Sequence, residues 1–120
     1  NASDVTGVTG VLQEDDGQPV QAACVQIVKE HFFGEGRGWD WQAVSARART
    51  DAAGAFHVAL WEMAEGLRLK VVLPTLRDGA GGETFMADLR LRAGAANYVQ
   101  AQIDRFFMRL VLTVEELSER

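Results

Sequence analysis

Hydrophobic and polar positions alternate along most of this chain, and a period of two is the mark of a half-buried strand. Residues 5–12 predict a first strand, followed by the turn Glu14-Asp15-Asp16-Gly17-Gln18-Pro19. A long second strand is predicted over 20–33, with Ala23, Val25 and Ile27 inward and Cys24, Gln26, Val28, Glu30 and Phe32 outward. The glycine-rich loop Gly34-Glu35-Gly36-Arg37-Gly38 leads through Trp39-Asp40-Trp41 to a third strand over 42–50. Asp51-Ala52-Ala53-Gly54 is a tight turn before a fourth strand over 55–61. Helix formers followed by a glycine stop predict one helical turn near 62–66.

A fifth strand over 67–76 sets Leu67, Leu69, Val71 and Leu73 against Arg68, Lys70 and Val72. A sixth over 83–92 sets Phe85, Ala87, Leu89 and Leu91 against Met86, Asp88, Arg90 and Arg92. The last third carries two signals. Val99, Ile103, Phe106, Leu110, Val114 and Leu117 recur at helical steps. Yet Val99, Ala101 and Ile103 alternate on odd positions, and Phe106, Met108, Leu110, Leu112 and Val114 alternate on even ones. A parity switch at Asp104-Arg105 is what a tight turn produces, so the favoured reading is two strands joined there, with one helix as the alternative. Thr113 and Glu116 have capping-box spacing, which allows a helical end over 115–120. Short strands separated by glycine turns predict an all-β protein, an antiparallel sandwich or barrel.

Composition narrows the class. The chain has 120 residues, 48% of them apolar, which suits a single β-sandwich domain over 1–120 with loose or short helical ends at 1–4 and 115–120. No window approaches the roughly 18 apolar residues that a membrane-spanning helix needs. The net charge of −5 argues against nucleic acid as the main partner. That charge is uneven. Residues 1–36 hold six acids and one base, whereas residues 37–120 hold eleven of each sign. Cys24 is the only cysteine, so neither an intrachain disulfide nor a cysteine metal cage can form. The opening Asn1-Ala2-Ser3-Asp4 lacks a methionine, which fits a domain cut from a longer, exported protein; an extracytoplasmic location is the expectation.

The order Gly7-Val8-Thr9-Gly10-Val11, Asp16-Gly17-Gln18-Pro19-Val20, Ala23-Cys24-Val25-Gln26-Ile27 and Thr50-Asp51-Ala52-Ala53-Gly54-Ala55-Phe56 resembles the carboxypeptidase regulatory-like and transthyretin-like superfamily, best over residues 5–60. The resemblance implies a seven- to eight-stranded Greek-key sandwich. Its members include hormone carriers, 5-hydroxyisourate hydrolases, accessory domains beside peptidases, and surface or secreted modules, so fold alone does not choose a function. The hydrolases have a first-strand histidine and a C-terminal Tyr-Arg-Gly-Ser. Here Gly10 stands at the comparable strand position, and the chain ends Leu117-Ser118-Glu119-Arg120. The related intradiol dioxygenases bind ferric iron with two tyrosines and two histidines, whereas Tyr98 is the only tyrosine here.

The residues themselves offer little catalytic chemistry. A catalytic zinc wants three protein ligands, and His31 and His57 are the only histidines. No nucleophile-elbow motif stands behind Ser3, Ser45 or Ser118. Asp15, Asp16 and Asp51 lie at turns without the spaced pattern of a calcium loop. No catalytic residue, metal or cofactor is expected.

Two surfaces are candidates for binding. Trp39 and Trp41 flank Asp40 beside the glycine loop, where rigid aromatic rings suit a sugar or protein contact. Arg47, Arg49, Arg68, Lys70, Arg90 and Arg92 share outward parity on the third, fifth and sixth strands, and would gather on one sheet face. The second strand's outer stripe, with Val72 and Met86 near it, suits a homo-oligomer contact. The expectation is a non-catalytic accessory or interaction module for a protein or carbohydrate partner. The alternative is a small-molecule carrier, or a degenerate hydrolase-like oligomer with a groove at its interface.

Overall fold

The computed structural model describes residues 6–75 and 82–116. Nine strands form, namely β1 (Thr6–Glu14), β2 (Cys24–Phe32), β3 (Trp39–Ala43), β4 (Ala48–Arg49), β5 (Ala55–Leu60), β6 (Arg68–Val72), β7 (Thr84–Asp88), β8 (Ala96–Asp104) and β9 (Arg109–Glu116). They make two sheets. The first runs β5-β1-β8-β9, and the second runs β3-β2-β6-β7 with β4 continuing β3's side of β2. All pairings are antiparallel except β1 with β8, which run parallel because the whole second sheet intervenes between them in the chain. The result is a transthyretin-like β-sandwich.

The alternation explains the core. Val8, Leu12, Phe56, Val58, Val99 and Ile103 project from the first sheet, and Val25, Ile27, Leu69, Val71 and Phe85 from the second, all buried in one cluster. Each large aliphatic side chain withdrawn from water contributes about 2 kcal/mol. Gly10 is the close-approach point. A Cβ there would run into the Val99 carbonyl and the Phe56 ring, so only glycine lets β1 and β8 pair over Phe56. Three buried polar side chains close irregular segments. Thr50 Oγ1 accepts from Ala23 N at 2.9 Å and donates to Val20 O at 2.6 Å. Ser45 Oγ accepts from Ile27 N at 3.0 Å. Asn97 Oδ1 accepts from Arg92 N at 3.1 Å, and its Nδ2 donates to Arg92 O and Ala95 O.

Several sequence expectations change. The second strand starts at Cys24, since Ala22 adopts a φ of 66° and donates its N–H to Thr50 O. The third strand breaks in two, because Val44 and Ser45 are both buried and Ser45 occupies Ile27's N–H with its side chain. Residues 62–66 form no helix. Five residues are too few to nucleate one, Glu62 is drawn into an ion pair with Lys29, and the buried Leu67 pulls the chain into β6. β9 continues as strand through Glu116, so no helical turn begins at 115; residues 1–4 and 117–120 lie outside the described residues. The hairpin reading of the last third holds. Its turn, however, spans Arg105–Met108, so Phe106 and Met108 leave the inward set and stand in solvent. No helix among the described residues is long and apolar enough to cross a membrane.

Candidate binding face

The outer face of the second sheet is built in cross-strand rows. Register places Phe32 beside Trp39, and Glu30 beside Trp41. Val28 lies between Ala43 and Arg68, with Asp88 beyond. Gln26 lies beside Lys70, with Met86 beyond, and Cys24 lies between Arg49 and Val72. From the Trp41 row to the Cys24 row is six residues of β2, about 20 Å at strand rise.

One end of this track is aromatic. Trp39 is 67% exposed, and its ring centroid lies 5.4 Å from that of Phe32. Trp41 is 37% exposed and meets the Arg68 guanidinium at 5.3 Å. Since β3 and β6 flank β2, Arg68 and Trp41 meet above that strand and cover Val28. Val28 is accordingly 3% exposed, although it stands apart from the central core cluster. Arg68 Nε also lies 3.3 Å from Asp88 Oδ1. The expected apolar stripe along β2 is therefore largely covered within the chain, and Phe32 is its exposed apolar member.

The other end is cationic. Arg47, Arg49 and Lys70 converge with Cys24, Gln26 and Val72 around one depression. Arg90 and Arg92 do not join them, which corrects the expectation of six bases on one face. β7 ends at Asp88 and β8 starts at Ala96, so both arginines fall in the link between them, where Asn97 Oδ1 accepts from Arg92 N. Arg90 there lines a different hollow with Met63, Glu65 and Leu91.

The histidines lie on different sheets. His31 packs its ring edge-on against Phe33, with centroids 4.8 Å apart, while His57 on β5 shares a 2.8 Å hydrogen bond with Thr9 on β1. Among the described residues no group of three or more His, Cys, Asp or Glu side chains is arranged to hold a metal. Asp16 and Asp51 spend their carboxylates on turn N–H groups, Asp16 on Gln18 and Asp51 on Ala53 and Ala55.

Sequence reading missed an apolar tip. Phe106, Phe107 and Met108 are 85, 66 and 53% exposed at the β8–β9 turn, at the opposite end of the sandwich from the tryptophans. Asp104 braces that turn by accepting from Phe106 N and Phe107 N and pairing with Arg109. Three consecutive large apolar residues beside a parity switch were its only sequence signal.

No family model matches the chain, and no curated protein matches it in sequence. Solved structures match in shape. A crystal structure of a candidate cell adhesion protein from Bacteroides uniformis superposes with a TM-score of 0.62 at 12% identity, over 95% of this chain and 50% of that one. Sea bream transthyretin in complex with thyroxine superposes at 0.50 with 11% identity, over 94% of this chain and 98% of that one. A 9R-lipoxygenase from Cyanothece superposes at 0.48 with 14% identity, over 74% of this chain and 14% of that one. The chain thus spans half the length of the Bacteroides chain and nearly all of transthyretin.

Proposed function

We propose that this domain is a non-catalytic interaction module that holds a protein or glycan partner on the outer face of β3-β2-β6-β7. One observation carries the reading: exposed aromatic rings and cations that hold no carboxylate among the described residues share that face, about 20 Å apart along β2. Rigid indoles bury area at low entropic cost, and fixed cations steer an anionic partner. Trp39 and Trp41 supply the aromatic contact; Arg47, Arg49, Arg68 and Lys70 supply the charge. Arg90 and Arg92 extend it only if the partner wraps the end of β7. The likeness to a candidate cell adhesion protein supports a role outside the cytoplasm and a partner that is protein or carbohydrate.

The test is a glycan-array and pull-down screen with the wild-type chain and Trp39→Ala. Loss of a wild-type hit in Trp39→Ala, and weakening between 50 mM and 500 mM salt as the Debye length shortens about threefold, support the reading. A hit indifferent to both changes sinks it. Light scattering separates the carrier alternative, since a tetramer would favour a ligand groove between copies and a monomer would exclude it.

A further inference from the structure

The depression at the cationic end has a volume of about 300 Å³ and is lined by Cys24, Gln26, Arg47, Arg49, Lys70 and Val72. Its shape follows from register. Cys24 sits in one row with Arg49 and Val72, and Lys70 stands beside Gln26 in the next, so cations rise around a floor of thiol and valine. Ser45 O accepts a hydrogen bond from Gln26 Nε2 at 3.3 Å, which ties the floor to the link between β3 and β4. Among the described residues no acid lines the depression.

The three cations stand out by being gathered together with no carboxylate among the described residues; Arg37 and Arg90 also hold none there, but outside this depression. Lys29, Arg68, Arg105 and Arg109 all hold a carboxylate. Arg47, Arg49 and Lys70 hold none among the described residues, and make no side-chain hydrogen bond there. Three like charges gathered without a counter-charge repel one another, and an anion that enters between them relieves that repulsion. Two guanidinium forks match the oxygen spacing of a tetrahedral oxyanion, and the lysine adds a mobile point charge. The apolar floor leaves room beside the anion for the body that carries it, and the volume sits at the small end of ligand sites.

We propose that this depression is an oxyanion subsite that binds a phosphate or sulfate ester borne on a sugar-sized body. The inference deepens the reading above, because it rests on the same sheet face, but it needs neither tryptophan.

The experiment is an amide-resolved NMR titration of the full chain with glucose 6-phosphate, glucose 6-sulfate and unmodified glucose, at constant ionic strength set with chloride. Saturable shifts centred on Cys24, Gln26, Arg49, Lys70 and Val72 are expected from one or both esters and not from glucose. Tighter binding of the phosphate ester names that source, and equal or tighter binding of the sulfate ester names the other. Arg49→Gln/Lys70→Gln should weaken binding at least tenfold, while Arg37→Gln, whose guanidinium lies over Phe33 away from the depression, leaves it unchanged. Alkylation of Cys24 by neutral iodoacetamide should slow when the ester is bound. Shifts that never saturate, that match those from added chloride, or that glucose reproduces would overturn the proposal. So would binding confined to an acidic peptide. If the esters fail while Trp39→Ala still abolishes a screening hit, the subsite falls and the interaction face stands.

Discussion

Arg105 grips Glu14 with two parallel N–H···O bonds, Nε to Oε1 at 3.0 Å and Nη2 to Oε2 at 2.9 Å. Its remaining nitrogen, Nη1, donates to Glu83 Oε1 at 3.2 Å. Glu14 ends β1 in the first sheet and Glu83 leads into β7 in the second, so one guanidinium ties the two layers at the end of the sandwich. The hydrogen bond to Glu14, then that to Glu83, raises its pKa above the ordinary arginine range despite partial desolvation. A raised folded pKa means the contribution is fully present below the unfolded value and lost only as pH rises through the folded one. The clamp's arginine therefore stays charged throughout the neutral range.

Arg105→Ala should cost about 1 kcal/mol, the upper range for exposed pairs, because the side chain is 39% exposed and screened by solvent. Urea unfolding at pH 7 checks this. The difference from wild type should shrink in 1 M salt, and an undiminished difference would assign the effect to packing.

Thr50→Val should destabilise by about 2 kcal/mol, since it strands the Ala23 N–H and the Val20 carbonyl inside the protein. Thr50→Ser should restore most of that loss, because it keeps the hydroxyl. Equal instability of the two variants, measured by thermal unfolding, would show that keeping the hydroxyl does not protect the fold.

Gly10→Ala should cost about 3 kcal/mol as an overpacking change at the β1–β8 contact. Adding Phe56→Leu should recover only part, because the ring can give way but the Val99 carbonyl, held in the ladder, cannot. Full recovery in the double variant, read by denaturant midpoint, would show that the ring alone forbids a side chain.

Trp39→Ala should leave stability within about 0.5 kcal/mol, as for other exposed positions. Trp41→Ala should cost about 1–2 kcal/mol by uncovering Val28 and releasing Arg68 from its ring contact. Chemical denaturation of both variants checks the contrast, and Trp39→Ala is thereby the cleaner probe of binding.

Asp104→Ala should cost about 1 kcal/mol, since the β8–β9 turn loses an acceptor for two N–H groups and the Arg109 pair. Amide exchange should quicken at Phe106 and Phe107 and stay unchanged at Val99 in the core. Uniform acceleration would show that the carboxylate supports the whole sandwich.

Much of the fold was legible in strand parity. Val25 and Ile27 inward, Cys24 and Gln26 outward, and the parity switch at Asp104 all follow from the two-residue repeat. The misreadings came where a local pattern ran past its structural limit. Phe106 and Met108 continue the even alternation of β9, but Asp104's carboxylate, by capping Phe106 and Phe107, starts the turn before them. Arg90 and Arg92 continue the alternation of β7, but that strand ends at Asp88, and the Asn97 side chain takes the N–H of Arg92.

The candidate site divides the same way. The sequence by itself determined which residues face outward on each strand, because side-chain direction depends only on a residue's place along its own extended backbone. Only the tertiary structure decided which outward residues meet. The pairing of Cys24 with both Arg49 and Val72 brings three distant segments together, leaving Arg47, Arg49 and Lys70 around one depression while Arg68 is taken by Trp41 and Asp88. Register between strands far apart in the chain is set by the packing of the shared core, which no single stretch of sequence contains.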